Sequence, residues 1–300
     1  STFVEFLIPV SDTVELQIAG RYDDYEFAGT STNPKIAVRW APNDDIAVRA
    51  SWGTGFRAPS LAQIGLGPSQ ESRFFADSYC DASPFCANAG GATDYTFNFS
   101  GNPDLKPELV TELEMGIETR LFNNRIGLDL SIYDKRTNDL IIQNKPLDPS
   151  TGTTVTSDNI GEISNKGLEL GFNATIIKPN TDDGFRWDVS GQYTINENIV
   201  EDNGSAPGSI TVFAGFGNQG NAAISGEAFG VIVGTSIARN ANGDFIVGAD
   251  GNYVRNNNLS IIGDPNADWR TTVINEFSYK NFTISGQLEY THGGDIYSTT

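Results

Sequence analysis

One histidine, two cysteines and scattered carboxylates are the ligand and nucleophile chemistry that these 300 residues offer. His292, Cys80 and Cys86 cannot supply the four ligands of a structural zinc site. A Ser-His-Asp triad would have to use His292, and no Gly-x-Ser-x-Gly elbow accompanies it; a solvated loop histidine is the expectation. No P-loop occurs, and Gly53-Thr54-Gly55-Phe56 lacks the strand-to-helix setting of a dinucleotide fingerprint. The reading is not an enzyme, with no cofactor. Cation ligands are the next possibility. Asp23, Asp24 and Glu26 sit together, as do Asp182 and Asp183, and Asn240–Asp244 and Ala249–Asn252 carry side-chain oxygens. None has the full spacing of a calcium loop, and hairpin turns of the Asn-Gly and Asp-Gly kind explain the last two better.

Cys80 and Cys86 lie in a polar, Gly-rich stretch. A loop disulfide in an oxidising compartment is the natural reading, and two free surface thiols are the other. The net charge of −19 argues against a nucleic-acid partner, which needs a basic face. It also argues against docking on anionic lipid through basic clusters. No apolar run approaches the roughly 20 residues of a membrane-spanning helix. That excludes helical spans only, because a tilted β-strand crosses with about 9–11 alternating residues.

The elements that would position any site are strands. Gly, Phe and Tyr are abundant, and the Leu/Lys/Glu/Ala-rich runs of helices are missing. Period-two alternation recurs along the chain. Leu109, Leu113, Met115, Ile117 and Leu121 oppose Glu108, Glu112, Glu114, Glu118 and Arg120. Ile126, Leu128, Leu130 and Ile132 oppose Asp129, Ser131, Tyr133 and Lys135. Leu168, Leu170, Phe172, Ala174 and Ile176 oppose Glu169, Asn173 and Thr175. The pattern predicts about ten strands, near 2–10, 13–24, 33–41, 45–55, 108–122, 125–140, 163–178, 184–199, 268–280 and 282–292. Short turns at 9–12, 42–44, 123–124, 179–183 and 280–281 alternate with longer loops at 25–32, 56–107, 141–162 and 200–267. All the long connections therefore fall at one end of the sheet, as they do in outer-membrane barrels. The glutamate stack of 108–118 must then face the lumen, as a plug contact, a substrate path or a solvated wall. Aromatics near strand ends (Tyr22, Tyr25, Trp40, Trp52, Phe56, Phe122, Tyr133, Trp187, Trp269, Tyr279 and Phe282) read as interfacial girdles. Loop 200–267 is Gly/Asn-rich and carries Phe213, Phe216, Phe229, Phe245 and Tyr253. Phe213, Phe216 and Phe229 are its candidate ligand contacts, with a small hairpin expected around Asp250-Gly251.

Five stretches carry a family resemblance. Gly53-Thr-Gly-Phe-Arg-Ala-Pro-Ser-Leu61 ends one strand and Gly101-Asn-Pro-Asp-Leu-Lys-Pro-Glu108 opens the next. Ser164-Asn-Lys-Gly-Leu-Glu-Leu-Gly171 follows, then Ile262-Gly-Asp-Pro-Asn-Ala-Asp-Trp269 with Gly293-Gly-Asp-Ile-Tyr-Ser298. Together they resemble the barrel of TonB-dependent outer-membrane receptors, the first two most specifically. The last two are most similar to SusC/RagA-type members, whereas the Cys-bearing loop is more similar to proteobacterial receptors. Gly55, Phe56, Arg57, Pro59, Asn102, Pro103, Asp104 and Glu108 are the motif residues. They read as markers of strand–loop junctions rather than ligand contacts, since Pro59 and Pro103 stop ladder pairing and Asn102 and Asp104 favour turns.

The expected fold class is all-β: an antiparallel up-and-down transmembrane β-barrel, present in part as about ten strands of a larger barrel. Residues 1–300 read as the C-terminal part of the barrel domain, a fragment without the plug. The resemblance implies energised import across the bacterial outer membrane, with TonB acting through a missing N-terminal region. It also implies outer-membrane lipid around the barrel, an iron–siderophore, glycan or peptide as cargo, and a SusD-like lipoprotein as a further partner. A passive porin or adhesin barrel is a second reading, which a plug and TonB-contact segment upstream would exclude. A soluble all-β carbohydrate-binding domain is a third, and it would bury a second apolar face against another sheet.

Overall fold

The computed structural model describes residues 1–26, 29–65, 69–76, 92–146, 155–181, 183–206, 208–216 and 219–298, without side-chain detail for 69–76, 92–99, 143–146, 155 and 213–216. In chain order the elements are β1 (Thr2–Ser11), β2 (Val14–Tyr25), β3 (Gly29–Asn43), β4 (Ile46–Arg57), α1 (Leu61–Gly65), β5 (Ser69–Ala76), β6 (Ala92–Ser100), β7 (Glu108–Leu121) and β8 (Ile126–Pro146). Then come β9 (Val155–Ile177), β10 (Arg186–Asp202), β11 (Thr211–Phe216), β12 (Gln219–Ala223), β13 (Val231–Ile237), β14 (Arg255–Gly263), β15 (Ala267–Tyr279) and β16 (Phe282–Gly293). Ten of these form one meander in the order β1-β2-β3-β4-β7-β8-β9-β10-β15-β16, every pair antiparallel. These are the ten strands read from the alternation.

The short turns follow from local chemistry. Asn43 Oδ1 accepts the N–H groups of Asp45 and Ile46, each at 2.9 Å, closing the β3–β4 turn. Phe122, Asn123 and Asn124 take φ of 55°, 56° and 62° between β7 and β8. Asparagine tolerates that left-handed region better than most residues.

The other end of the sheet departs from expectation in four ways. The β2–β3 connection is short, because β2 runs to Tyr25 and β3 starts at Gly29. The stretch 56–107 is not all loop: it contains α1 and a β5–β6 hairpin, and β6 joins β9 in parallel through Phe99 and Ser100. Much of 141–162 is strand, as β8 and β9 extend to 21 and 23 residues. The segment 200–267 folds into its own four-stranded sheet, β11-β12-β13-β14. Most of these pieces carry only a short or broken alternation, although in β6 Tyr95, Phe97 and Phe99 do alternate with Asp94, Thr96 and Asn98.

Register gives the ten-strand wall two faces. Met115 stands opposite Ile132, Leu130 opposite Leu170, and Leu170 opposite Tyr193. The face they share is apolar and open, with Met115 48%, Ile132 50% and Leu288 74% exposed. A soluble sandwich would cover such a face with a second sheet at about 10 Å. Among the described residues the buried hydrophobic side chains, Ala47 apart, lie at the loop end. Ile163, Val200 and Ala223 form one cluster with Leu140 and Phe229, and Ala222, Ile224, Val231 and Val233 form another inside the four-stranded sheet. Among the described residues no helix is long and apolar enough to cross a membrane, which says nothing of crossing by strands.

Two aromatic groups bound the apolar face. At the loop end Trp269 lies 5.5 Å from Tyr193, 5.2 Å from Tyr290 and 5.4 Å from His292 (centroid distances). At the turn end Phe277 lies 5.6 Å from Trp187 and 6.3 Å from Phe185. Trp269 to Phe277 is eight steps along β15, roughly 26 Å at about 3.3 Å per residue. A strand tilt of about 40° reduces this to roughly 20 Å, near the ~25 Å apolar band of an outer-membrane wall. His292 is thus a strand residue stacked on Trp269, with Nδ1 3.0 Å from Asp268 Oδ2, and not a loop histidine. Tyr133 is not a girdle residue: it lies on the opposite, polar face.

Candidate functional site

The motif residues meet at the loop end of the wall. Arg57 closes β4 and Glu108 opens β7, and their backbones are register partners. The guanidinium binds Glu108 through Nε and Nη2, and Glu108 Oε1 also accepts the Ile141 N–H at 2.8 Å. Glu108 is 3% exposed; a buried carboxylate needs such partners. Just beyond, Ser60 and Gln63 form a capping box at the start of α1. The Ser60 N–H donates to Gln63 Oε1 (2.8 Å) and the Gln63 N–H to Ser60 Oγ (3.2 Å). Asn102 takes up the end of this turn: its N–H donates to the Gln63 carbonyl (2.8 Å), its Nδ2 to the Ser157 carbonyl (3.0 Å), and its Oδ1 accepts the Asp104 N–H (2.9 Å). Asn159 fastens the following residues. It accepts the Lys106 N–H and donates to the carbonyls of Lys106 and Asp139. Pro59 and Pro103 flank these turns, and Gly55 and Phe56 precede them on β4. Phe56 meets Tyr25 edge-on at 5.6 Å. The motif is therefore a strand–loop clamp. Ser60, Gln63 and Asn159 belong to it, although only the Ser-x-x-Gln spacing advertised the first two.

The polar face carries the charges. Arg49 on β4 reaches across β7: Nη1 binds Glu118 and Nη2 binds Asp129 on β8, both at 2.8 Å, Nη2 also binds Ser131 Oγ at 2.5 Å, and Nε is 3.6 Å from Glu114. Gly116, the backbone partner of Arg49, makes the crossing possible, because a Cβ there would lie 2.8 Å from the guanidinium carbon. Tyr133 on β8 repeats the device two strands on. Its hydroxyl passes over Gly167 on β9 and donates to Asn196 Oδ1 on β10 at 2.8 Å. The glutamates of β7 thus share a face with Arg49, Lys135 and Tyr133. Beside them a cavity of about 350 Å³ opens, lined by Glu112, Glu114, Ser131, Tyr133, Lys135 and Glu169 among others. Amide, hydroxyl and charged groups interleave along this wall, an arrangement that can hydrogen-bond a polar solute.

The four-stranded sheet is fixed to the wall at its base. Asn203, 1% exposed, donates to the carbonyls of Ser209 (3.0 Å) and Ala223 (3.1 Å) and accepts from Ser205 N–H and Ser225 Oγ. Val200 exchanges backbone bonds with Gly226 and Glu227. Phe229 packs against Ile163, Val200 and Ala223, so this candidate ligand aromatic is half-buried at the base. Phe213 and Phe216 lie on β11, with side chains outside the described residues, as are Cys80 and Cys86 altogether.

An internal repeat went unread in the sequence. Ile237-Ala-Arg-Asn-Ala-Asn-Gly-Asp244 is followed by Phe245-Ile-Val-Gly-Ala-Asp-Gly-Asn252 and then Tyr253-Val-Arg-Asn256. Its period of eight puts Gly243 and Gly251 in equivalent places, at φ 88° and 82°. Ala238, Ile246 and Val254 are equivalent too, and they close a ring of backbone bonds. Ala238 N–H donates to the Val254 carbonyl (2.8 Å), Ile246 to Ala238 (2.9 Å) and Val254 to Ile246 (2.9 Å). The expected hairpin at Asp250-Gly251 is one corner of this arm, with Val247 bridged to Tyr253. In that corner the Asp250 carboxyl is held below its ordinary range by the side chain and backbone N–H of Asn252. In the other corner Asn240 Oδ1 accepts the N–H groups of Asn242 and Asp244. These oxygens serve turns.

Comparison with known proteins agrees with this architecture. The family described as TonB dependent receptor-like, beta-barrel matches residues 1–299. TonB-dependent receptor P3 of Formosa agariphila is 28% identical over 285 residues, covering 84% of this chain and 26% of that protein. TonB-dependent receptor SusC of Bacteroides thetaiotaomicron is 33% identical over 100 residues, 33% of this chain and 10% of that one. Among solved structures, the RagAB peptide importer in its open-open state superposes with a TM-score of 0.71 at 14% identity, over 97% of this chain and 32% of that one. The chain spans about a quarter of the length of the curated relatives that match most of it.

Proposed function

This chain belongs to the TonB-dependent receptor β-barrel family, and on that premise we propose that it is the C-terminal part of the barrel of a transporter for energised uptake of a nutrient. The observation that carries the reading is the two-faced wall. Its apolar face is open and bounded by Trp269 and Phe277 aromatic groups, and its other face is charged and hydrogen-bonding. The rest of the barrel, a plug and a TonB-contact segment would belong to the longer protein, in line with the share of its relatives that the chain spans. The placement is the bacterial outer membrane, with lipid against the apolar face. The partners are TonB and, on the likeness to SusC, a SusD-like lipoprotein. The cargo is an iron–siderophore, glycan or peptide; the amide- and hydroxyl-lined face fits a hydrogen-bonding solute. As a family of receptors, its relatives favour transport over catalysis.

The test uses the full-length protein in its native membrane. Uptake of a labelled oligosaccharide, oligopeptide or ferric chelate is measured with and without TonB, and with and without a protonophore. Uptake of one class that vanishes on either treatment is the expected result. Flux that persists through both treatments would establish a passive pore and sink the proposal.

A further inference from the structure

The eight-residue repeat builds one site that the transport reading does not use. Positions Ile237, Phe245 and Tyr253 are equivalent in the repeat, and so are Arg239, Val247 and Arg255. Arg239 is bridged to Phe245 across the first corner. Its guanidinium carbon lies 3.9 Å above the Phe245 ring centroid, and Nη1 donates to the Gly243 carbonyl at 2.7 Å. These two contacts fix the guanidinium in place and leave its other N–H groups unbonded. Tyr253, 61% exposed, meets Phe245 edge-on at 5.4 Å. Next to Arg239 a cavity of about 360 Å³ is lined by Ser236, Ile237, Arg239, Phe245 and Asn256.

The polar chemistry of this cavity runs one way. Arg239 can only donate. Asn256 has its Oδ1 engaged by the Asn258 N–H, so its Nδ2 donors are what it offers. Ser236 adds a hydroxyl. Among the described residues no carboxylate lines the cavity, in a chain with 38 acidic residues against 19 basic ones. The acids of the arm are engaged elsewhere: Asn240 Nδ2 donates to Asp244, and Asn252 Nδ2 to Asp250. Among the described residues Arg239 forms no ion pair. A guanidinium held over an aromatic ring, beside free donors and away from acids, is built to receive a planar anion through paired N–H bonds.

We propose that Arg239, Asn256 and Ser236 bind the carboxylate of a solute whose body packs against Phe245 and Tyr253. The shared chemistry is a carboxylate on a compact, partly apolar body, whether an acidic sugar or the C-terminus of a peptide. The two closed turns of the repeat keep the arm in one shape, which lowers the ordering cost of capture.

Calorimetry on the full-length protein, purified in detergent, tests this without any transport step, so its failure leaves the uptake reading standing. The probes are trigalacturonate and its methyl ester, and trialanine and its C-terminal amide. At least one acid should bind, with its ester or amide about tenfold weaker or more, as expected when a charge-assisted bond is lost. Discrimination within the sugar pair assigns an acidic saccharide, and within the peptide pair a peptide terminus. Arg239→Gln should remove that discrimination, and Arg239→Lys should keep part of it. Asn256→Ala, which leaves the cation in place, should weaken the acid several-fold. Retention of heat-modifiable gel mobility shows that each variant is folded. The proposal is overturned if neither acid binds, if acid and neutral analogue bind alike, or if folded Arg239→Gln binds as the parent does.

Discussion

Arg57 and Glu108 are 51 residues apart in sequence and directly opposite each other in the wall, joined by a two-point ion pair. The pair closes over everything inserted between β4 and β7, and Glu108 carries the Ile141 N–H as well. Its members are unequal, since the Arg57 side chain is 59% exposed and that of Glu108 only 4%. Removing the arginine leaves a buried carboxylate with one remaining donor. Arg57→Ala should therefore cost more than Glu108→Gln, which keeps an acceptor for Ile141. Breaking a fully buried pair costs about 3–5 kcal/mol; with Arg57 exposed, about 2–3 kcal/mol is expected. Loss of gel-shift resistance at a lower temperature in the full-length protein would report it. Equal effects of the two substitutions would contradict this account.

Arg49 and Gly116 form a second relationship that single substitutions can expose. The guanidinium lies where a Gly116 side chain would be, and from there it reaches Glu118, Asp129 and Ser131. Gly116→Val should push Arg49 off its partners and leave a cluster of acids without their cation. An effect of about 1–3 kcal/mol is expected, in the range of lost charged hydrogen bonds. In an Arg49→Ala background the same valine should cost much less, because nothing is left to displace. A double-mutant cycle measured by thermal unfolding tests the coupling; additive effects would show that the glycine serves some other purpose.

The two faces of the wall make opposite demands on charge. Val273 lies on the apolar face midway between Trp269 and Phe277, opposite Leu288, while Gln192 on the neighbouring strand looks to the polar face. Arginine at the midplane of a lipid-facing strand costs about 2–4 kcal/mol, and substitutions on the lumen side change selectivity more than stability. Val273→Arg should thus impair folding into vesicles, whereas Gln192→Arg should fold normally. If both fold equally well, the apolar face does not meet lipid.

How much of this was legible follows from where the physics is local. Leu109 to Leu121 and Ile126 to Ile132 announced their strands because one face must be apolar throughout, and a period of two survives any register. The turn-side ends of those strands, the short turns and the segregation of glutamates to one face came with it, whereas the loop-side end of β8 did not. The Arg57–Glu108 pair did not, since its two halves are distant in sequence and each reads alone as a turn marker. Phe229 reads as a free loop aromatic until β10 and β12 come together around it. Tyr133 reads as a girdle residue from its position near a strand end, although the alternation sets it with Asp129 and Lys135; the Gly167 beneath it and Asn196 beyond it show what it does on that polar face. The repeat at 237–256 was visible in the letters. It escaped notice because its period of eight belongs to turns, and alternation is a test for strands.

That repeat gives a pH-dependent outcome. The Asp250 carboxyl accepts the Asn252 N–H at 3.1 Å and the Asn252 side chain at 2.9 Å, which lowers its pKa from the ordinary value. A carboxyl depressed in the folded arm binds a proton more weakly than in the unfolded chain. Its contribution is therefore complete above the unfolded carboxyl range and is lost as pH falls through the depressed value. The corner at Gly248–Asn252 should fray under acid while the Asn240–Asp244 corner, built on the neutral Asn240 amide, holds longer. Hydrogen exchange of the Asn252 and Gly251 amides should accelerate on acidification relative to Gly243, after correction for intrinsic rates. In Asp250→Asn the carboxyl that titrates is gone, and the relative acceleration should vanish with it. An acceleration that survives this substitution would place the titrating group elsewhere.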